Sequence, residues 1–308
     1  MVNSRLSIDL AGIKLASPLV LASGIMGLSA SSLDRVAKLG AGAVTSKSSG
    51  LEERKGHPCP AILPFQHGLL NAVGLANPGI EEMAAELEEF RKISDVPVIA
   101  SIFGKTVEEF APAARVIARI RPAMIEVNVS CPNVAAEFGQ SFATDPELVG
   151  QITRLVRNEV KDIPISIKIS TQCLSIAQVA KAAEQNGADA ITAINSIGPG
   201  MIIDPEVRRP VLANLIGGMS GPAILPIAVK AVWDVRKAVS IPIIGTGGVE
   251  TAEDVLQMVL AGATAVGIGT AVYTRGLDVF SAINHDLTDY LEKHSIASIS
   301  ELTGAAHV

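Results

Sequence analysis

Apolar and polar positions along the chain organise into eight short runs of mostly aliphatic residues, each ending at a polar or glycine-rich corner. They are 18–23 (PLVLAS), 42–48 (GAVTSKS), 97–104 (PVIASIFG), 124–130 (MIEVNVS), 164–170 (PISIKIS), 188–196 (ADAITAINS), 241–248 (IPIIGTGG) and 265–270 (AVGIGT). Runs of this length and composition suit parallel strands buried on both faces. Between most of them the pattern changes to helical spacing. Segment 174–188 repeats apolar residues at that spacing and closes on Asn186-Gly187, a C-capping pair. Segment 251–263 opens on Thr251 as N-cap and closes at Gly262. Strand then helix, eight times over, predicts an α/β fold, a (β/α)8 TIM barrel formed by residues 1–308 as a single domain.

Within four of the strand pairs the starts lie close together, at 18 and 42, 97 and 124, 164 and 188, 241 and 265. The intervals after strands 2, 4 and 6 are longer and rich in Gly, Pro and Asn (56–79, 131–146 and 197–222). These three loops follow strand ends directly, on the face where barrel enzymes keep their chemistry, and are expected to cover the C-terminal mouth.

Composition narrows the function. The 308 residues are 48% hydrophobic, only 3% aromatic, and carry a net charge of −6 without a basic block. Nucleic acid and anionic membrane are therefore disfavoured as partners, and a small-molecule substrate is favoured. No apolar run reaches the roughly 18 residues a membrane helix needs, and residues 1–15 show no signal-peptide core. A cytoplasmic protein is expected. Cys59, Cys131 and Cys173 are odd in number, with no CxxC pair, so neither a disulfide framework nor a metal centre is indicated.

Strand alternation places Glu126, Asn128 and Ser130 on one side of their run, and Ser166, Lys168 and Ser170 on one side of the next. Buried charges need partners, so Glu126 and Lys168 either pair structurally or meet a ligand. The glycine corners ending strands 7 and 8 read either as tight turns or as a phosphate cradle built from backbone N–H groups. Lys47 stands at a strand tip among hydroxyls, and 69–79 (LLNAVGLANPG) offers Asn71 and Asn77 as amide donors over a planar polar ligand. A cysteine is usually a small buried apolar residue. Cys131, however, follows strand 4 immediately and lies between Asn128 and Asn133, where a thiol can act as acid, base or nucleophile. Cys59 and Cys173 lack such neighbours and read as structural.

Taken in order, ASG (22–24), TSKSS (45–49), LLNAVGLANPG (69–79), NVSCPNV (128–134), IKIS (167–170), INSIGPG (194–200), LANLIGGMSGPAI (212–224), IIGTGGV (243–249) and GIGTA (267–271) resemble the class 1 dihydroorotate dehydrogenases, from Leu6 to about Phe280. The resemblance implies an FMN-dependent barrel that oxidises (S)-dihydroorotate to orotate in pyrimidine biosynthesis. It implies Cys131 as the base at C5 while hydride leaves C6 for the flavin. Lys47, Asn71, Ala72, Val73, Gly74, Leu75, Asn128, Asn133, Asn195 and Ser196 are the implied substrate contacts. FMN is implied to rest on Ala22, Ser23, Lys47, Ser48, Ser101, Asn128, Lys168, Ile194 and Gly221, with Gly247, Gly248, Gly269 and Thr270 around its phosphate.

LLNAVGLANPG and GGMSGPAI are more similar to the NAD-linked type 1B, whose catalytic chain works with a separate subunit carrying FAD and a 2Fe-2S cluster. NSIG with IDPE is closer to the fumarate-using type 1A. Type 1B implies a homodimer, assembled with the electron-transfer subunit as a heterotetramer. The chain has no dinucleotide fingerprint of its own. Ser101 stands where type 1B carries asparagine, and ISTQ (169–172) replaces Ser-Pro-Asn after the strand 5 lysine. Three rivals remain at this stage: a uracil-like pyrimidine reductase on the same barrel, a lyase or aldolase using Lys47 or Lys168 as Schiff-base amine, and a non-catalytic scaffold.

Overall fold

The computed structural model of the chain describes residues 4–130 and 142–307. Eight parallel strands close into a barrel: β1 (Leu19–Leu21), β2 (Ala43–Thr45), β3 (Val98–Ile102), β4 (Met124–Asn128), β5 (Ile165–Ile169), β6 (Ala190–Ala193), β7 (Ile243–Thr246) and β8 (Ala265–Ile268). Closure is made by β8 against β1, with Val266 opposite Leu19. All five residues of β3, β4 and β5 are buried, one face against helices and the other inside the barrel. An antiparallel hairpin, Ile8–Leu10 with Ile13–Leu15, leads into the N-terminal end of β1 and adds buried Leu10 and Leu15 to the core.

The outer layer comprises α1 (Ala30–Lys38), α2 (Ile80–Ile93), α3 (Phe110–Ala118), α4 (Pro146–Glu159), α5 (Ile176–Gln185), α6 (Leu225–Ala238), α7 (Ala252–Leu260) and α8 (Val279–Lys293). Their ends follow local chemistry. Thr251 and Asp254 form a reciprocal capping box at α7. Ser175 caps α5, and the chain leaves that helix through Asn186 and Gly187, the latter at φ 101°. Asp145 caps α4, with Pro146 in its first turn. Among the described residues, no helix is long and apolar enough to cross a membrane.

The loops after β2 and β6 are more ordered than their composition predicts. Ile62–Phe65, Gly68–Asn71, Gly217–Ser220 and Ile197–Gly200 form a four-stranded antiparallel sheet. Behind it, Leu70, Ala72 and Leu212 make a small core of their own with Leu63, Phe65, Ile202 and Met219. Most of the loop after β4 lies outside the described residues, as do Cys131 and Asn133.

Candidate active site

A cleft open to solvent sits at the C-terminal ends of the barrel strands. The tip of β1 supplies Ala22 and Ser23, the tip of β2 Lys47 and Ser48. Asn128 ends β4, Lys168 lies near the end of β5, and Ile194, Asn195 and Ser196 follow β6. The antiparallel sheet and its continuation bring Asn71, Val73, Gly74, Leu75 and Gly221 to the same wall, while Gly247, Gly248, Gly269 and Thr270 form the far corner. Elements distant in sequence thus converge on one space. Ala72 does not reach it: alternation along its strand turns the side chain into the small core behind the sheet. Ser101 stands one layer below the wall.

The wall is polar because the barrel interior beneath it is polar. Asn128 Nδ2 donates to Ser48 Oγ at 3.1 Å, and Ser48 and Ser101 hydroxyls meet at 2.8 Å. Ser101 Oγ donates to Glu126 Oε1 at 2.9 Å. Lys168 Nζ donates to Ser23 Oγ at 2.9 Å and stands 3.9 Å from Glu126 Oε1, both side chains almost wholly buried. Asn195 Nδ2 reaches Asn128 Oδ1 at 3.3 Å and the Ser130 hydroxyl at 3.1 Å. Asn71 Nδ2 donates to the Gly218 carbonyl at 3.2 Å, tying the two long loops together at the mouth. Lys168 therefore takes both alternatives weighed from sequence, since it pairs with Glu126 and also lines the cleft. Glu126 takes only the pairing.

The glycine corners are dictated by packing. Gly248, at φ 78°, lies so near α6 that a Cβ would come within 2.7 Å of the Leu225 nitrogen and 2.9 Å of the Gly221 oxygen. A Cβ on Gly269 would meet only Ala22, at 3.7 Å, and so would stand in the cleft itself. Several wall residues escaped the reading of the chain as sites, Ser220 and Thr246 among them. Ser220 lies in the quoted GGMSGP and accepts from Thr270 Oγ1 at 2.8 Å. Thr246 ends β7 inside the quoted GTGG; among the described residues its Oγ1 is the one buried side-chain polar atom without a hydrogen-bond partner. Its parity with Ile244 on the strand was the available signal.

The two described cysteines do not line the cleft. Cys59, read as structural, is exposed on the loop after β2 and away from the cleft. Cys173 is half-buried, its Sγ 3.4 Å from the Ser170 carbonyl, and burial raises its pKa. Among the described residues no cluster of His, Cys, Asp or Glu could hold a metal ion.

Comparison with known proteins agrees with this geometry. A family model described as dihydroorotate dehydrogenase matches residues 5–291. The chain is 43% identical over 302 residues to the protein of Methanothermobacter thermautotrophicus named dihydroorotate dehydrogenase B (NAD(+)), catalytic subunit, covering 98% of each chain. A protein of the same name from Pyrococcus abyssi is also 43% identical, over 98% of this chain and 99% of its own. The crystal structure of DHODH from Eimeria tenella in complex with ferulenol superposes with a TM-score of 0.84 at 21% identity, over 99% of this chain and 89% of that one, a likeness of fold. On the match of the family model to residues 5–291 and the similarity to these relatives along the chain, the chain belongs to the dihydroorotate dehydrogenase family.

Proposed function

We propose that this chain is the catalytic subunit of an NAD-linked dihydroorotate dehydrogenase, oxidising (S)-dihydroorotate to orotate for pyrimidine biosynthesis. The observation that carries the reading is the convergence of Lys47, Lys168, Asn71, Asn128 and Asn195 on one cleft in a chain similar along its whole length to relatives of that name.

The cleft residues fit FMN. The corner of Gly247, Gly248, Gly269 and Thr270 offers main-chain groups where a Cβ at Gly269 would intrude, suiting a phosphate. The Thr246 hydroxyl, a buried polar atom without a partner among the described residues, suits a polar ligand atom. Ser23, Ser48, Ile194 and Gly221 line the remaining wall. FMN supplies the hydride acceptor.

The chain's own residues would do the rest. Cys131, outside the described residues, takes the C5 proton of the substrate, its loop opening directly after Ser130. Asn128 and Asn195, held to each other at 3.3 Å, present fixed amides to the pyrimidine ring. Lys47 and Lys168 place positive charge where the substrate carboxylate and the flavin carry negative charge.

Electrons then leave for NAD through a second subunit, carrying FAD and a 2Fe-2S cluster, in a heterotetramer built on a catalytic homodimer. The relatives' shared name, dihydroorotate dehydrogenase B (NAD(+)), catalytic subunit, supports NAD as acceptor and the existence of a partner subunit. The test is spectroscopic and then kinetic. Purified protein should carry flavin absorbance that dihydroorotate bleaches, and should reduce NAD only with an iron–sulfur flavoprotein added. A colourless preparation trapped by borohydride with a carbonyl substrate would overturn the reading, and direct turnover with fumarate would overturn its NAD-linked part.

A further inference from the structure

Glu126 and Lys168 approach to 3.9 Å beneath the cleft, with side chains 4% and 5% exposed. Isolated, either charge would be costly to bury, and each has acquired a second partner besides the other. Lys168 donates to Ser23 Oγ, and Glu126 accepts from Ser101 Oγ. A carboxylate has no proton to give, so the single hydroxyl proton of Ser101 is committed to Glu126. Ser48, 2.8 Å from Ser101, must then be the donor of that pair. Asn128 donates in turn to Ser48, and Asn195 to Asn128. A one-way chain of donors therefore runs from the cleft wall down to one buried carboxylate.

We propose that Glu126 is the counter-charge of this site, a positioning residue that fixes Lys168, turns the Ser48 proton away from the cleft, and moderates how strongly bound flavin is reduced. The inference rests on the FMN reading above. An uncompensated Lys168 would favour the reduced, anionic flavin, and a carboxylate at 3.9 Å cancels part of that attraction. The arrangement also gives Ser101 a role other than touching the cofactor: it joins the wall to Glu126.

The experiment is a reduction potential of the FMN-loaded chain, measured by equilibration with a reference dye. Glu126→Gln should raise the reduced-to-oxidised ratio at fixed solution potential about tenfold, a rise of about 30 mV for a two-electron couple. Glu126→Asp keeps the charge and should stay within about twofold of the parent. Lys168→Met should move the ratio the opposite way, and adding Glu126→Gln to it should restore most of the loss. That pair of variants covers failure of Glu126→Gln alone to fold, since replacing both members of a buried pair is better tolerated than removing one. A Glu126→Gln chain that retains FMN at the parental potential overturns the inference, as does a double variant no different from Lys168→Met. A parent chain that takes up no flavin overturns the FMN reading and this inference with it, and the absorption spectrum reveals that before any variant is made.

Discussion

Among the described residues Thr246 carries a buried hydroxyl without a partner at the edge of the cleft, beside Gly267, whose missing side chain leaves it room: a Cβ there would lie 2.2 Å from Thr246 Oγ1. If FMN satisfies that hydroxyl, Thr246→Val should weaken FMN binding about tenfold, one neutral hydrogen bond, while leaving the fold unchanged or slightly stabilised. Fluorescence titration of the apoprotein measures it. Cys131→Ala should slow dihydroorotate oxidation by about 10²- to 10⁴-fold with FMN still bound. In the parent, stopped-flow bleaching should quicken as pH rises toward about 8.5, where an unperturbed thiol ionises; a flat profile would remove Cys131 from the role of base. Of the two described cysteines, exposed Cys59 should react with iodoacetamide well before Cys173, whose thiol burial holds protonated, and peptide mapping reads the order. At this scale alternation along single strands sufficed to set Glu126, Asn128 and Lys168 inside the barrel. It could not show that Thr246 would lack a partner, because that depends on which residues neighbouring strands put opposite it.

Strands and helices of the barrel were legible because each buries its own periodic pattern and is closed by local chemistry such as the Thr251–Asp254 box. Thr251→Ala should cost about 1 kcal/mol, read as a lower urea midpoint at unchanged slope. The sheet over the mouth was not legible. Its strands are short and glycine-rich, and Asn71 finds Gly218 across 147 residues of chain, a pairing no local pattern encodes. Packing there is unforgiving: a Cβ on Gly68 would fall 2.0 Å from the Ser220 carbonyl oxygen. Gly68→Ala should therefore push the two loops apart and raise the KM for dihydroorotate several-fold while the barrel still unfolds at its usual temperature, a split that kinetics and calorimetry together detect.

Across the whole molecule, closure of β8 on β1 carries residues near both ends of the described chain to a common site. The cleft draws on positions from Ala22 to Ala271, and its wall joins barrel corners to a sheet that belongs to neither half of the barrel. Such a wall exists only as a late product of synthesis. A chain truncated before β8 would keep Lys47, Asn128, Lys168, Gly247 and Gly248 yet lose Gly269, Thr270 and the closure on β1, so it should not retain flavin.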